Sequence, residues 1–382
     1  MIKVSQFSDK LGLYIHVPFC AQGKCPYCDF YSVLADNNRD NIKEKYIEAV
    51  KLDLRARSCQ AHGKEVDTVY FGGGTPSLLG EGLARLLCCI GENYKLADGA
   101  EITFEANPAT IDFETLALLK KAGFNRLSLG MQSAVQGELD ALCRRHTNED
   151  VKRAVKDARR AGFDNISLDL MLCVPGQTRE SMQRSVEFAA SLSPRHISAY
   201  LLKIEQGTHY YDIRETLNLP DDDAQADMYL AACEALEQKG YFQYEISNFA
   251  LGGYVSRHNI KYWDCGEYLG FGPAAHSFFD GRRFFYPRSL EKYIAGTQPV
   301  QDGTGGSLEE YVMLRLRLTA GIKEAELLRR YGVGFSHFDA GVLSSLEGAG
   351  LLKAASGCLS LTRKGFLVSN AVISALIFHQ KS

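Results

Sequence analysis

The chain has 382 residues, 46% of them hydrophobic, with 43 basic side chains against 46 acidic ones and a net charge of −3. That length allows one large core plus a smaller domain, and the balanced charge argues against a nucleic-acid partner or a polybasic membrane surface. No apolar run reaches the roughly 18 residues of a membrane span, and Met1 to Lys10 lacks the apolar centre of a signal peptide; a cytoplasmic protein is expected.

The run LYIHVPF at 13–19 reads as a strand, and directly after it stand Cys20, Cys25 and Cys28 in the order C-x4-C-x2-C. Three thiols on one short loop can hold three irons of a [4Fe–4S] cube and leave the fourth iron open to a small molecule. Zinc, with His16 as fourth ligand, is the alternative. The remaining cysteines, Cys59, Cys88, Cys89, Cys143, Cys173, Cys233, Cys265 and Cys358, are scattered on apolar or helical stretches. They read as small buried side chains and not as a disulfide framework.

A second strand at 68–74 runs into Gly72-Gly73-Gly74-Thr75-Pro76, where bare backbone can approach a ligand and donate N–H groups. The run lacks the lysine of a phosphate-binding loop and does not match the dinucleotide fingerprint. Strands follow at 101–107, 126–132, 166–174 and 196–202, with helical patterns such as 112–123 and 178–192 between them. Glu105 and Asp169 sit in otherwise apolar strands and need partners there. Ribose hydroxyls or an ammonium group would suit, and Arg144 is the structural alternative as counter-ion.

Strand–helix alternation repeated about six times implies a parallel sheet with right-handed crossovers, and so an α/β fold built as a partial (β/α)6 barrel. Chemistry in such barrels collects at the carboxyl ends of the strands. Cys20, Gly72 to Gly74, Glu105, Gln132 and Asp169 all fall near such ends.

Past residue 204 the pattern changes. A helix at 222–239 follows Pro220 and three aspartates, then an irregular aromatic and glycine-rich stretch at 241–280, then a linker-like segment at 303–307. Residues 308–382 read as a small winged-helix-like α+β domain without a basic stripe, which favours a lid or packing role over DNA binding. The expected units are 1–205 (barrel), 206–302 (extension) and 303–382 (C-terminal domain).

The stretches YIHVPFC, CPYCDFYS, FGGGTPSLL, FEANPATI, NRLSLGMQS, VPGQT, YEISNFA and RHNIKYW, in this order, resemble the radical S-adenosylmethionine (radical SAM) superfamily. Within it they are similar to the branch that holds oxygen-independent coproporphyrinogen III oxidase and its heme-chaperone relatives. The resemblance runs from about Leu13 to the C-terminus. It implies a cluster on Cys20, Cys25 and Cys28, SAM contacts at Tyr14, Gly74 and Glu105, and second-SAM contacts at Tyr27, Thr75, Gln132, Arg144 and Asp169. The implied chemistry is electron transfer from the reduced cluster, cleavage of the sulfonium and formation of a 5′-deoxyadenosyl radical.

Two departures touch the motifs. The family spaces its first two cysteines by three residues, whereas Ala21-Gln22-Gly23-Lys24 makes four here, and Gly23 is expected to let the longer loop fold back. Relatives often carry an aromatic or polar residue followed by glycine where Leu172-Cys173 stands. Three features separate the oxidase from the chaperones. Only 19 residues precede Cys20, Phe30 stands where the oxidase has a further cysteine, and His258-Asn259-Ile260-Lys261-Tyr262-Trp263 matches the HNxxYW signature tied to heme binding in the chaperones.

His258 is then the expected axial ligand, with His276 as another candidate, and Tyr262 and Trp263 would pack on the porphyrin. The resemblance therefore implies a protein that binds heme and delivers it to acceptor hemoproteins, membrane-bound respiratory enzymes among them, without ordinary turnover. The alternative is an oxygen-independent coproporphyrinogen III oxidase or another porphyrin-modifying radical enzyme.

Overall fold

A computed structural model describes residues 10–35 and 40–378. Six strands pair in parallel in chain order: β1 (Lys10–Val17), β2 (Glu65–Gly73), β3 (Leu96–Ala106), β4 (Arg126–Gln132), β5 (Asn165–Leu172) and β6 (His196–Leu201). Helices α1 (Asp40–Arg57), α2 (Glu81–Asn93), α3 (Phe113–Ala122), α4 (Asn148–Arg160) and α5 (Arg179–Ser191) make the crossovers. Their starts follow local chemistry. Asp112 caps α3 by accepting from the Thr115 N–H, and Thr147 with Asp150 forms a capping box on α4. This is the partial (β/α)6 barrel expected from the strand–helix alternation.

The barrel stays open because its edges are covered by other strands. Helix α6 (Asp222–Gln238) leads to β7 (Phe242–Gln243) and β8 (Asn248–Ala250), and β8 lies antiparallel to β6. After helix α7 (Arg257–Trp263), β9 (Tyr268–Phe271) runs parallel to the outer side of β1, with Leu13 opposite Leu269. Antiparallel β10 (His276–Phe279), β11 (Arg282–Phe285) and β12 (Val300–Thr304) complete a 12-stranded sheet. The linker expected at 303–307 is corrected here: Thr304 pairs with Arg282 as an edge strand, and only Ser307 begins the next helix as its N-cap.

In the C-terminal part, Ile322–Lys323, Cys358–Leu361 and Leu352–Ala355 form a three-stranded antiparallel sheet. With helices Glu324–Tyr331, Ala340–Gly348 and Ser369–Phe378 it makes the small α+β domain expected. It is tied to the barrel extension by the Arg317 carbonyl, which accepts from the Ile246 N–H at 3.0 Å, and by Arg363 on Glu237 at 2.8 Å.

The cysteine expectation needs correction. Cys89, Cys173, Cys233 and Cys265 are buried, but Cys59, Cys88 and Cys143 are exposed and Cys358 is half-buried. Neighbours on α2 explain part of this, since Cys88 and Cys89 point about 100° apart around the helix axis. Among the described residues no helix is long and apolar enough to cross a membrane.

Candidate functional site

The barrel strands alternate in an inverted sense: apolar residues face the outer helices and polar ones face the inside. On β4, Leu127, Leu129 and Met131 join the apolar core, while Arg126, Ser128, Gly130 and Gln132 line a cavity of about 860 Å3. The period of two makes this automatic once one residue is placed. Glu105 and, just past its end, Asn107 from β3, Asp169 and Met171 from β5, and Ser198 and Tyr200 from β6 reach the same cavity.

Cys20, Cys25 and Cys28 face this cavity from a loop closed at its base by the pairing of Phe19–Cys20 with Val33–Leu34. The Cys28 N–H donates to the Cys25 carbonyl at 3.1 Å, and Gly23 takes φ of +80° in the longer first half of the loop. All three thiols are free and half-buried. Burial raises the thiols of Cys20 and Cys28, and for Cys28 the nearby Phe30 backbone N–H opposes it. Three such donors on one cavity wall fit an iron–sulfur cube, whose thiolates surround a multi-atom body. His16 does not complete a zinc site. Its ring nitrogens are hydrogen-bonded to the Tyr14 hydroxyl at 3.0 Å and to the Tyr31 carbonyl at 2.8 Å.

The glycine run works differently from the expectation. The Gly73 N–H donates to Glu105 at 3.2 Å, the Gly74 N–H to the Val17 carbonyl at 2.8 Å, and the Thr75 N–H to the Phe19 carbonyl at 2.7 Å. These groups therefore serve the protein and not a ligand. The glycines are needed for close packing: a Cβ on Gly74 would meet the Phe19 carbonyl oxygen at 2.5 Å, and one on Gly73 the His16 ring at 2.6 Å.

Glu105 accepts from the Tyr70 hydroxyl at 2.7 Å. Burial pushes its carboxyl up to about 7, against the opposing hydrogen bonds of Tyr70 and Gly73. Asp169 accepts from Ser128 on both oxygens at 3.1 Å, and burial also raises it. Arg144 is not the counter-ion of either carboxylate. It donates to the Tyr27 hydroxyl at 2.9 Å and to Asn107 Oδ1 at 2.8 Å, forming the opposite wall. The charge near Asp169 and Glu105 is Arg126, which the sequence reading missed. The alternation in RLSLGMQ was the available signal. Gln132 holds φ of +67°, a left-handed backbone costing a non-glycine residue on the order of 1 kcal/mol, of the kind that clusters at working sites.

Of the expected contacts, Tyr27, Gly74, Thr75, Glu105, Gln132, Arg144 and Asp169 line the cavity with the three cysteines. Tyr14 does not; it stands behind the wall beside His16 and Tyr70. From the HNIKYW segment, which forms α7, only Asn259 reaches the cavity.

His258 is buried, with Nδ1 bonded to Thr68 at 2.9 Å and Nε2 to the Tyr262 hydroxyl at 2.8 Å. Burial and the charges of Lys261 and Arg126 push it down to about 3, so it stays neutral. Its backbone N–H and that of Arg257 donate to Glu101, which anchors the start of α7. As placed, His258 offers no free nitrogen to an iron, which corrects its expected axial role. Tyr262 packs edge-on against Tyr268 with centroids 4.5 Å apart, Trp263 is half-buried, and His276 is exposed and stacked on Phe285.

The chain is similar to known proteins along most of its length. Residues 14–189 match the model of the radical SAM superfamily, and residues 307–368 match the HemN C-terminal domain. The chain is 35% identical over 376 residues to the heme chaperone HemW of Bacillus subtilis, covering 95% of this chain and 98% of that one. It is 37% identical over 334 residues to the heme chaperone HemW of Escherichia coli, covering 85% and 86%. Among solved structures, coproporphyrinogen III oxidase (HemN) from Escherichia coli superposes with a TM-score of 0.82 at 21% identity, covering 98% of this chain and 91% of that one. That likeness speaks to fold alone.

Proposed function

The chain belongs to the radical SAM superfamily and, within it, to the HemW family, and on that footing we propose that it is a heme chaperone. It binds heme and passes it to acceptor hemoproteins in the cytoplasm or at the membrane face, respiratory enzymes among them. The observation that carries the reading is its similarity, over nearly its whole length, to relatives named for that activity. The structure lends support in one respect: the HNIKYW helix contributes Asn259 to the wall of the cavity that the cysteine loop faces.

Cys20, Cys25 and Cys28 would hold a [4Fe–4S] cluster, and SAM bound at its open iron would supply a sulfonium that a reduced cluster can cleave. The chain's own part is orientation and exclusion of water. Glu105 and Asp169 accept hydrogen bonds from hydroxyl or ammonium groups on one side of the cavity. Arg144, locked by Tyr27 and Asn107, and Gln132 form the other side, with Gly74 and Thr75 at the rim. Tyr14 acts from behind, packed against Tyr70.

The test is anaerobic incubation of the reconstituted protein with SAM, a reductant and coproporphyrinogen III, beside a heme spectrum taken after desalting. The chaperone reading expects retained heme and no protoporphyrinogen. Efficient decarboxylation by a protein that loses its heme would establish the oxidase instead.

A further inference from the structure

Asp169 is held from two sides. Ser128 of β4 donates to it at 3.1 Å, and Ser167, two residues earlier on β5, donates at 3.4 Å. The Ser167 hydroxyl also leads away from the cavity. Its oxygen stands 2.8 Å from Nδ1 of His196 on β6, and Nε2 of that ring stands 2.8 Å from the Tyr244 hydroxyl, just past β7. The Tyr244 oxygen in turn accepts from the backbone N–H of Ser256 at 3.2 Å. Ser256 is the N-cap of α7. Four hydrogen bonds thus join a carboxylate of the cavity to the residue that starts the HNIKYW helix.

The two ends fix the direction of this chain. A backbone N–H only donates, so the Tyr244 oxygen accepts from Ser256 and its own proton turns to Nε2 of His196. At the other end Ser167 gives its one proton to Asp169, so its oxygen accepts from Nδ1. His196 is then the neutral Nδ1–H tautomer, and every polar hydrogen in the chain has one acceptor. The ring is fully buried, so a cut anywhere along the chain leaves a buried donor or acceptor unpaired. The other buried imidazole differs: His258 bonds to Thr68 and Tyr262, and neither passes the contact on to a carboxylate of the cavity.

We propose that His196 is a positioning residue for Asp169, and that the donor chain Ser256–Tyr244–His196–Ser167 couples a ligand held on Asp169 to the start of α7, a coupling that rests on the reading of this cavity as the SAM site. A ligand hydroxyl or ammonium that donates to Asp169 fixes its carboxylate, and with it the far end of the chain. The Ser256 N–H then opens less often. Coupling of this kind is reciprocal, so cutting the chain weakens the ligand by the factor that the ligand steadies α7. None of Ser167, His196 and Tyr244 lines the cavity, so each acts on the ligand through Asp169 alone.

The experiment is amide hydrogen exchange at Ser256 in the anaerobically reconstituted full chain, with and without saturating SAM, beside equilibrium binding of labelled SAM. The wild type is compared with Tyr244→Phe, His196→Gln and His196→Asn. In the wild type SAM should slow exchange at Ser256, and Tyr244→Phe, which cuts the chain next to α7, should abolish that slowing. Gln carries its amide where Nε2 stands and takes the donor from Ser167, so His196→Gln should weaken SAM by about tenfold, the size of one lost hydrogen bond. Asn carries an amide N–H where the Nδ1–H stands, so His196→Asn should recover most of that affinity. Equal SAM affinity in the two His196 variants would overturn the assignment. So would slowing that survives in Tyr244→Phe, as direct contact through Asn259 would give. A wild-type Ser256 amide indifferent to bound SAM would overturn it with no variant needed. Absence of saturable SAM binding by the wild type would instead overturn the reading of the cavity.

Discussion

Glu105 is where the chemistry of the cavity and the stability of the fold meet. Its carboxyl moves from an ordinary 4.5 to about 7 on burial, so the ligand-free protein binds its proton more tightly than the unfolded chain does. A raised carboxyl contributes stability that is fully present below about 4.5 and is lost as pH rises through about 7. Glu105→Gln should therefore flatten the pH dependence of the urea midpoint of the ligand-free protein across that window; parallel curves for variant and wild type would exclude the linkage. The two histidines separate in the same manner. His258→Ala removes two buried hydrogen bonds and should cost about 1–3 kcal/mol in urea unfolding. His276→Ala, at an exposed ring, should leave stability unchanged. Equal stability of both variants would refute the buried role of His258. The role of His258 was misread because a signature identifies a residue without saying where its nitrogens point. The cysteine loop could be placed from the chain because its three thiols stand within nine residues directly after a strand.

At the scale of elements, the end of β2 and the cysteine loop are one unit. Gly74 lies against the Phe19 carbonyl, one residue from Cys20, and backbone cannot yield as a side chain can. Gly74→Ala should cost about 1–3 kcal/mol by overpacking and should lower the iron bound per chain after reconstitution. Full iron occupancy at wild-type stability would show that the loop is not set by this contact. Strand positions and the carboxyl-end residues could be read from the chain, since the barrel strands carry apolar residues at alternate positions and lead into turn residues. The inward polar set was written there as well, in the alternation of RLSLGMQ and of Ser167, Asp169 and Met171, but only knowing which face is the cavity turns it into a site. The glycine run pointed to close approach, and the structure shows that what approaches is the neighbouring strand.

For the whole molecule, the barrel followed from local alternation, whereas its edges did not. β9 joins β1 from far along the chain, and β12 takes in Gly303 and Thr304, the first two residues of the expected linker, because strand pairing at an edge leaves little trace in four or five residues. Those additions bring α7 against the barrel, where Glu101 anchors it and Asn259 reaches the cavity. The arrangement sets α7 against the proposed SAM site. The most direct test of the account is transfer: heme-loaded, cluster-reconstituted protein is mixed anaerobically with an apo-cytochrome, the two are separated, and the absorbance of each is recorded. The account predicts heme spectra moving from this chain to the acceptor faster than free heme loads it. Heme that stays with this chain, or an acceptor that gains nothing beyond the free-heme control, would contradict it.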